Sequence, residues 1–494
     1  MKTKAQQLTK NATRANWLRQ WIPIALILLL ATALYLYQLG TESLWMDELF
    51  SIRDAKGLRL NVNIRPLYYI LLRVWMQFGT SDAWLRGLSV LFGLGSVFLT
   101  YQLGRRLAGE KTGLIAALLL ALSPLFINHA QEVRMYTLGT CLGLGGTLAL
   151  TKALEHPTTS SMRWWAGARL LAILTAPLNF LLLLPDIVLF GLKFRNQRRA
   201  LLAFGKWLLL IGILWLPFAL SLAKATPEFV GGWIAVLPQP GVMDFVHMLT
   251  KFTRGSFDSP LTAIAWVYGG FRKLYAVMLM CLLGVALLNK QKPWLIWAAA
   301  WAFLPSATLF LISQISSSLW LERYLLFVSP YVFILLAAGF TGIWHGQRTV
   351  AIVVALVYLL GVGGGLARYY TVQAREDWRS VVQTINIKEK PGDTIGIFSD
   401  SYRFALAHYY RGSAPIYVLE DEAHPLYPKI DKSYVERVFD SWSPIKSRLF
   451  LVHQYPLNQE QRQLFHTIVR EHFSVQNHWT FNGIDLFLLR EGRG

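Results

Sequence analysis

Apolar runs separated by short polar connectors occupy the chain up to residue 369, and the pattern then breaks into mixed periodicities. Crossing a hydrocarbon layer of ~30 Å takes roughly 17 to 25 residues of helix. Runs of about that length, or pairs of shorter ones, lie at Trp21–Gln38, Leu85–Leu103, Thr112–Ile127, Met135–Leu150, Trp164–Ala176 with Leu178–Leu192, Trp207–Leu222, Trp266–Leu288, Trp294–Ile312, Tyr324–Trp344 and Val350–Tyr369. The pattern predicts an all-α polytopic membrane domain of about eleven spans. In the Trp164–Leu192 pair, Thr175, Pro177 and Asn179 have to make a very tight turn between two short helices.

Beyond Tyr370 the stretch "REDWRSVVQTINIKEKPGDTIGIFSDSYRFALAHYYRG" reads as an amphipathic helix, a Pro-Gly-Asp turn, a strand and a second helix. Pro415–Leu419, Arg448–His453 and Ile484–Leu489 are further strand candidates, and Gln459–His472 has a helical pattern. Residues 370–494 therefore form a C-terminal α/β domain of ordinary size, about 125 residues. The expected organisation is a tail over 1–20, a membrane domain over 21–369 that contains a long loop over 39–84, and this last domain.

Composition supports the membrane reading: 54% of residues are hydrophobic and mean hydropathy is +0.38, more than a soluble enzyme carries. A formal charge of +20 would suit nucleic acid in a soluble chain. Here, however, Lys and Arg sit beside apolar runs without interleaved stacking aromatics, so nucleic acid is excluded as a partner. With the N-terminus inside, the inner segments hold roughly twice the Lys and Arg of the outer loops. This asymmetry, with an odd span count, puts the N-terminus in the cytoplasm and loop 39–84 and the C-terminal domain outside. No small-residue cleavage site follows the first run, which reads as an anchor. Cys141 and Cys281 both fall in expected spans, so disulfides play no visible part.

Candidate chemistry gathers on that outer side. Asp47 and Glu48 adjoin each other in "SLWMDELFSIRDAKG", escorted by Leu44, Trp45, Met46, Leu49 and Phe50. A carboxylate pinned against the interface by such neighbours can serve as a base, whereas acids in a wet loop can also be mere surface. "NHAQEVRMY" adds Glu132, Arg134 and Tyr136, and "LERY" adds Arg323 and Tyr324. Arginine offers a fixed fork to phosphate oxygens, so the set suits a reaction in which a hydroxyl loses a proton while a phosphate leaves. Snorkelling is the plain alternative for an isolated arginine.

Five stretches, "SLWMDE", "RPLYYILL", "WLRGLSVLFGLGSVFLTYQLGRRLAG", "LSPLFINHAQEVRMYTL" and "ERYLLFVSP", resemble in order the bacterial GT-C membrane glycosyltransferases. That superfamily includes protein O-mannosyltransferases and the aminoarabinose transferases of lipid A. The resemblance implies the GT-C fold and transfer of a sugar from a polyprenyl-phosphate carrier to a glycan, lipid or protein acceptor at the outer face of a bacterial plasma membrane, with inversion. It assigns the base to Asp47; by adjacency, charge and position Glu48 is the next catalytic candidate, and Glu132 a further one that orients the base. By charge and position rather than by the resemblance, Arg65, Arg134, Tyr136, Arg323 and Tyr324 are the expected substrate- or phosphate-binding residues. Where relatives carry His-Pro-Pro or Glu-Lys-Pro-Pro, this chain has Asn63, Ile64, Arg65 and Pro66. A metal-binding carboxylate is missing there, so no cofactor is assigned, and a divalent metal (Mg or Mn) with unknown ligands stays open.

Three further features are ambiguous by sequence. Asp186 in "LLLLPDIVLF" is an ionisable group at membrane depth, a candidate for function or for a local polar break. The glycines of "LGVGGGLARYY" point to helix packing. Six histidines of the C-terminal domain lack ligand spacing and read as surface residues. Membrane lipids are partners in every reading. A multi-pass lipid or sugar transporter or flippase is the alternative function, favoured by span count alone, and such a protein would place its key charges at mid-membrane.

Overall fold

In a computed structural model, residues 21–58, 65–231, 234, 237–255, 265–289, 292–397, 401–418, 448–454 and 459–491 are described; the expected tail over 1–20 lies outside them. The helical domain opens with α1 (Trp21–Leu36), a short apolar helix. There follow α2 (Met46–Lys56), α3 (Pro66–Trp75), α4 (Asp82–Ala108), α5 (Glu110–Ala121), α6 (Pro124–Ala130), α7 (Tyr136–Glu155) and α8 (Thr159–Thr175). A 3₁₀ turn over Pro177–Leu182 leads to α9 (Leu183–Lys193), α10 (Arg198–Gly231), α11 (Met243–Arg254), α12 (Ala265–Leu287) and α13 (Leu295–Ile315). A second 3₁₀ turn, Glu322–Val328, precedes α14 (Ser329–Gly346) and α15 (Arg348–Thr371).

Among the described residues, six helices are long and apolar enough to cross a membrane, and seven if the α5–α6 pair, bent by 65°, is one broken span. The bend sits at Ser123-Pro124, where the Ser123 hydroxyl accepts a hydrogen bond from Phe126 N–H at 3.1 Å and so caps the second half. α14 is the central column, buried along nearly all its length, while α10 turns Leu209, Ile213 and Leu216 outward, as a lipid-facing helix must. The tight turn expected near Pro177 is the 3₁₀ segment between α8 and α9.

Close helix packing explains the two ends of the glycine run, Gly361 and Gly365, while Gly363 faces open space. A Cβ on Gly361 would collide with the Tyr275 ring, and one on Gly365 with the Arg254 carbonyl oxygen. Asp186 is fully buried in the bundle, where it accepts hydrogen bonds from Trp165 Nε1 (2.7 Å), Trp301 Nε1 (2.8 Å), Arg169 Nε (2.6 Å) and Arg169 Nη2 (3.0 Å). Arg169 also donates to the Gly143 carbonyl and the Thr147 hydroxyl. Every polar atom of the pair thus has a partner, the condition under which a buried ion pair is tolerated.

The C-terminal domain comprises α16 (Trp378–Lys388), β1 (Thr394–Ile397), α17 (Tyr402–Tyr409), β2 (Ile416–Val418), β3 (Leu449–Gln454), α18 (Gln459–His472), β4 (Phe473–Phe481) and β5 (Ile484–Glu491). The sheet runs β2-β1-β3-β5-β4, parallel from β2 to β3 and antiparallel from β3 to β4. Strand β4 is absent from the sequence reading: its residues alternate around His478 and Asn477 without the β-branched run that signals a strand, and its pairing with β5 carries an irregularity at Val475/Asn477. One histidine departs from the surface expectation, while His478 is exposed as expected and His424 lies outside the described residues. His453 is buried and stacks on Phe465 at 3.8 Å between ring centroids, while His466 and His478 both reach Asp485.

Candidate active site at the domain junction

Helix α2 starts where its sequence demands. Asp47 and Glu48 occupy its first turn, where carboxylates face the positive end of the helix dipole, and Trp45 N–H donates to Glu48 Oε2 at 3.2 Å. Consecutive helical residues point about 100° apart, so the two acids enter different surroundings.

Glu48 turns inward and is wholly buried. Arg86 of α4 grips it with Nε on Oε1 (2.9 Å) and Nη2 on Oε2 (2.8 Å), and Val133 N–H donates to Oε1 at 2.8 Å. The same guanidinium donates to the carbonyls of Leu39, Glu42 and Ser43, tying down the loop that enters α2. With its oxygens engaged and no solvent contact, Glu48 is an anchor, although the sequence places it beside Asp47 as a second catalytic acid. Arg86 is the residue that sequence reasoning missed; the available signal was a charge in the first turn of an apolar span.

Asp47 turns the other way. Its side chain is 28% exposed, with Arg134 Nη2 and Arg323 Nη1 each 3.6 Å from Oδ2. Among the described residues nothing donates a hydrogen bond to its carboxylate, so both oxygens can accept a proton from a ligand. Arg134 is buried and fixed by Nη1 on the Asp47 carbonyl (2.9 Å) and the Ser51 hydroxyl (3.1 Å), with Tyr136 5.8 Å away at ring centre. Arg323 lies over Trp45 (6.0 Å) and Tyr324 (5.6 Å). Arg65 caps α3 and is within electrostatic reach of Tyr324. Two chain-distant segments therefore deliver Arg134 and Arg323 to one open carboxylate, while Arg65 is placed by its reach to Tyr324.

Glu132 belongs to the supporting wall. Asn128 Nδ2 donates to it at 3.0 Å and His129 Nδ1 lies 3.0 Å away. Burial opposes its charge, but His129, Arg375 and Arg134 outweigh that and hold its carboxyl down at about 2. Glu376, just past α15, shows the reverse: burial pushes its carboxyl up, and the nearby Asp47 charge adds to the shift. Beside Arg323 a cavity of about 420 Å³ opens, walled by Trp320, Lys251, Arg254 and Arg272.

Among the described residues one group of side chains has metal-ligand character, His466, His478 and Asp485 in the C-terminal domain. Arg462 already covers both Asp485 oxygens at 2.8 and 2.7 Å, so the cluster is charge-balanced as it stands.

Residues 65–221 match the family model described as dolichyl-phosphate-mannose-protein mannosyltransferase. The match covers Arg65, Glu132, Arg134 and Tyr136 and begins after Asp47. An uncharacterized protein of Aquifex aeolicus (strain VF5) is 33% identical over 122 residues, 22% of this chain and 24% of that protein, so the matched stretch spans about a quarter of the relative's length. ArnT from Cupriavidus metallidurans, solved bound to undecaprenyl phosphate, superposes with a TM-score of 0.56 at 15% identity, over 94% of this chain and 97% of that one. The Archaeoglobus fulgidus oligosaccharyltransferase AglB, solved with an inhibitory peptide and a dolichol-phosphate, gives 0.50 at 11% identity over 97% of this chain and 75% of that one. Together with the apolar helices, these likenesses identify the chain as a multi-pass membrane protein with the GT-C glycosyltransferase fold.

Proposed function

We propose that this protein transfers a sugar from a polyprenyl-phosphate carrier to an acceptor hydroxyl at the outer face of a bacterial plasma membrane, with Asp47 as general base. The observation that carries the reading is the open Asp47 carboxylate held between Arg134 and Arg323. In the reaction the acceptor O–H gives its proton to Asp47, the oxygen bonds to the anomeric carbon, and the carbon–oxygen bond to the carrier phosphate breaks. Attack opposite the leaving group inverts that carbon. The departing phosphate takes up the electron pair and gains negative charge, which Arg134 neutralises with Arg65 in support, while Arg323 grips the phosphate from donor binding onward. The carriers seen with ArnT and AglB are of this chemical class.

Burial of a polyprenyl tail gains about 0.8 kcal/mol per CH₂, so the membrane retains the donor and the protein has to recognise only its polar end. Tyr68, Tyr69, Tyr136 and Trp320 are suitable wall material for a lateral apolar groove that admits the carrier near the outer leaflet. In this reading residues 39–84 form the catalytic loop, residues 370–494 lie outside the cell with it, and the tail over 1–20 is cytoplasmic. Against a transporter stands the charged pair inside the bundle, which is closed by its own hydrogen bonds and offers nothing to a cargo.

Purified protein in nanodiscs, offered polyprenyl-phosphate sugars and a panel of acceptors, should form a glycosylated product read by mass. Asp47→Asn should lower the rate by about 10²- to 10⁴-fold, the scale of general-base catalysis. Transfer from a nucleotide sugar without lipid carrier, or wild-type turnover by a folded Asp47→Asn protein, would overturn the reading. A reporter fused after Arg375 that marks the cytoplasm would overturn the orientation.

A further inference from the structure

Arg375 is the first charged residue after α15, in the short segment that hands the chain from the bundle to the C-terminal domain. Its side chain is 9% exposed, and its three nitrogens face three different carboxylates: Nε to Glu42 Oε2, Nη1 to Glu48 Oε2 and Nη2 to Glu132 Oε1, each at 3.7 Å. Nη2 also donates to the Gln131 carbonyl at 3.1 Å. Arginine usually spends its fork on one carboxylate. Here it spans two loops that are distant in sequence, the one entering α2 and the one between α6 and α7.

The charge count shows why such a group is needed. Glu42, Glu48 and Glu132 converge, while Arg86 answers Glu48 and His129 stands beside Glu132. Arg134 also acts on Glu132, but without Arg375 no single cation among the described residues would bridge these two buried carboxylates and the third at their rim across the loop junction. The C-terminal domain reinforces the seam around it. Arg379, His408 and Tyr409 all reach Asp82 at the start of α4, Tyr409 OH accepts from Leu44 N–H at 2.8 Å, and Ser43 Oγ donates to Asp377. Phe50 of α2 packs edge-on against Phe404 of α17.

We infer that Arg375 is a positioning residue for sugar transfer: by joining Glu48 of α2 to the Gln131-Glu132 loop, it sets the direction of Asp47 and the spacing of Asp47 from Arg134. The inference rests on the reading of Asp47 as the base. Asp47 directly precedes Glu48, and Arg134 lies two residues after Glu132, so a shift between the two loops moves base and phosphate-binding group apart. Arg375 itself touches neither reacting group, and a displacement of about 1 Å in such a site costs up to 10²-fold in rate.

The test compares Arg375→Ala and Arg375→Lys with wild type in nanodiscs, reading kcat and KM for donor and acceptor, and hydrogen exchange over residues 42–58 and 128–136. Arg375→Ala is expected to lower kcat 10- to 100-fold with KM changed less than 3-fold, and to speed exchange in both segments. Lysine keeps the charge but cannot face three carboxylates, so it should restore most of the exchange protection and leave kcat 3- to 10-fold down. Should Arg375→Ala fail to fold, the lysine variant carries the test alone. Unchanged kcat and unchanged exchange in a folded variant would overturn the inference, as would a loss that appears only in KM. If the wild-type protein transfers no lipid-linked sugar, the functional reading fails on its own, and the exchange comparison still decides whether Arg375 couples the two loops.

Discussion

Two aspartate–arginine pairs in this protein have opposite character. Asp186 and Arg169 lie deep in the bundle at 2.6 Å, both fully buried, with two indole N–H groups completing the aspartate's shell. Asp47 sits at the domain junction, partly open to solvent, with two arginines 3.6 Å away and no hydrogen bond to its carboxylate among the described residues. The first pair has used all its valences on the protein. The second holds its charges in place through Ser51 and the backbone and leaves the carboxylate available. Membrane depth alone would have nominated Asp186 for function, whereas hydrogen-bond satisfaction points to Asp47.

Paired substitutions test that contrast most severely. Asp47→Asn should abolish transfer by about 10²-fold or more and leave the folded fraction unchanged. Asp186→Ala should instead destabilise the bundle by about 3–5 kcal/mol, because Arg169 would remain as an uncompensated buried charge. Thermal unfolding in detergent, followed beside a transfer assay, separates the two effects. A stable but inactive Asp186→Ala protein would reverse the comparison. Replacing Asp186 and Arg169 together by apolar residues of similar volume should recover much of the lost stability, since desolvation of both charges is then avoided.

The apolar runs made the helical bundle legible because they answer to lipid, a solvent that imposes one rule on every span, whereas about eleven runs correspond to six or seven helices of spanning length among the described residues. Asp47, Arg134 and Arg323 could be nominated from residue type and side of the membrane, and the structure brings them within 3.6 Å. What stayed hidden depends on direction. The sequence gives Asp47 and Glu48 the same neighbours, and only the turn of α2 sends one to Arg86 and leaves the other open. Asp186 was ambiguous because its partners, Trp165, Arg169 and Trp301, come from two other helices. Arg375 was illegible because its meaning lies in three carboxylates from two remote loops. β4 was missed because its stability comes from pairing with β5 rather than from its own residues.

A milder contrast recurs within the C-terminal domain. Asp485 is held far below the usual carboxylate range: burial works against its charge, but Arg462, His466 and His478 prevail. His453 is different, for burial pushes its imidazole down to about 3, with Asp485 only partly opposing. An unfolded histidine takes up its proton near pH 6.5, whereas the folded one waits until about pH 3. The stabilisation is therefore complete above pH 6.5 and is lost progressively as pH falls towards 3. At 1.36 kcal/mol per unit, going from pH 7 to pH 5 should cost the domain about 2 kcal/mol from this residue. Hydrogen exchange of β3 and α18 at both pH values should show it, and His453→Phe should flatten the dependence. An unchanged slope in that variant would assign the acid sensitivity elsewhere.

The smallest expected effect probes how Arg323 serves the open site. Its guanidinium is 25% exposed on the side chain and lies over the Trp45 and Tyr324 rings, so its hold on Asp47 is screened by water and steadied by aromatic faces. Lysine in its place keeps the charge but loses the planar fork and the stacking, an exchange that matters where a phosphate is gripped by two parallel bonds. A cation–π contact at a half-open position is worth about 0.5–1 kcal/mol, so Arg323→Lys should raise KM for the lipid-linked donor by about 2- to 5-fold with kcat nearly unchanged. A fall in kcat instead, with KM constant, would mean that Arg323 meets the phosphate only as it departs. That outcome would move it from the group that receives the donor to the group that stabilises the leaving charge.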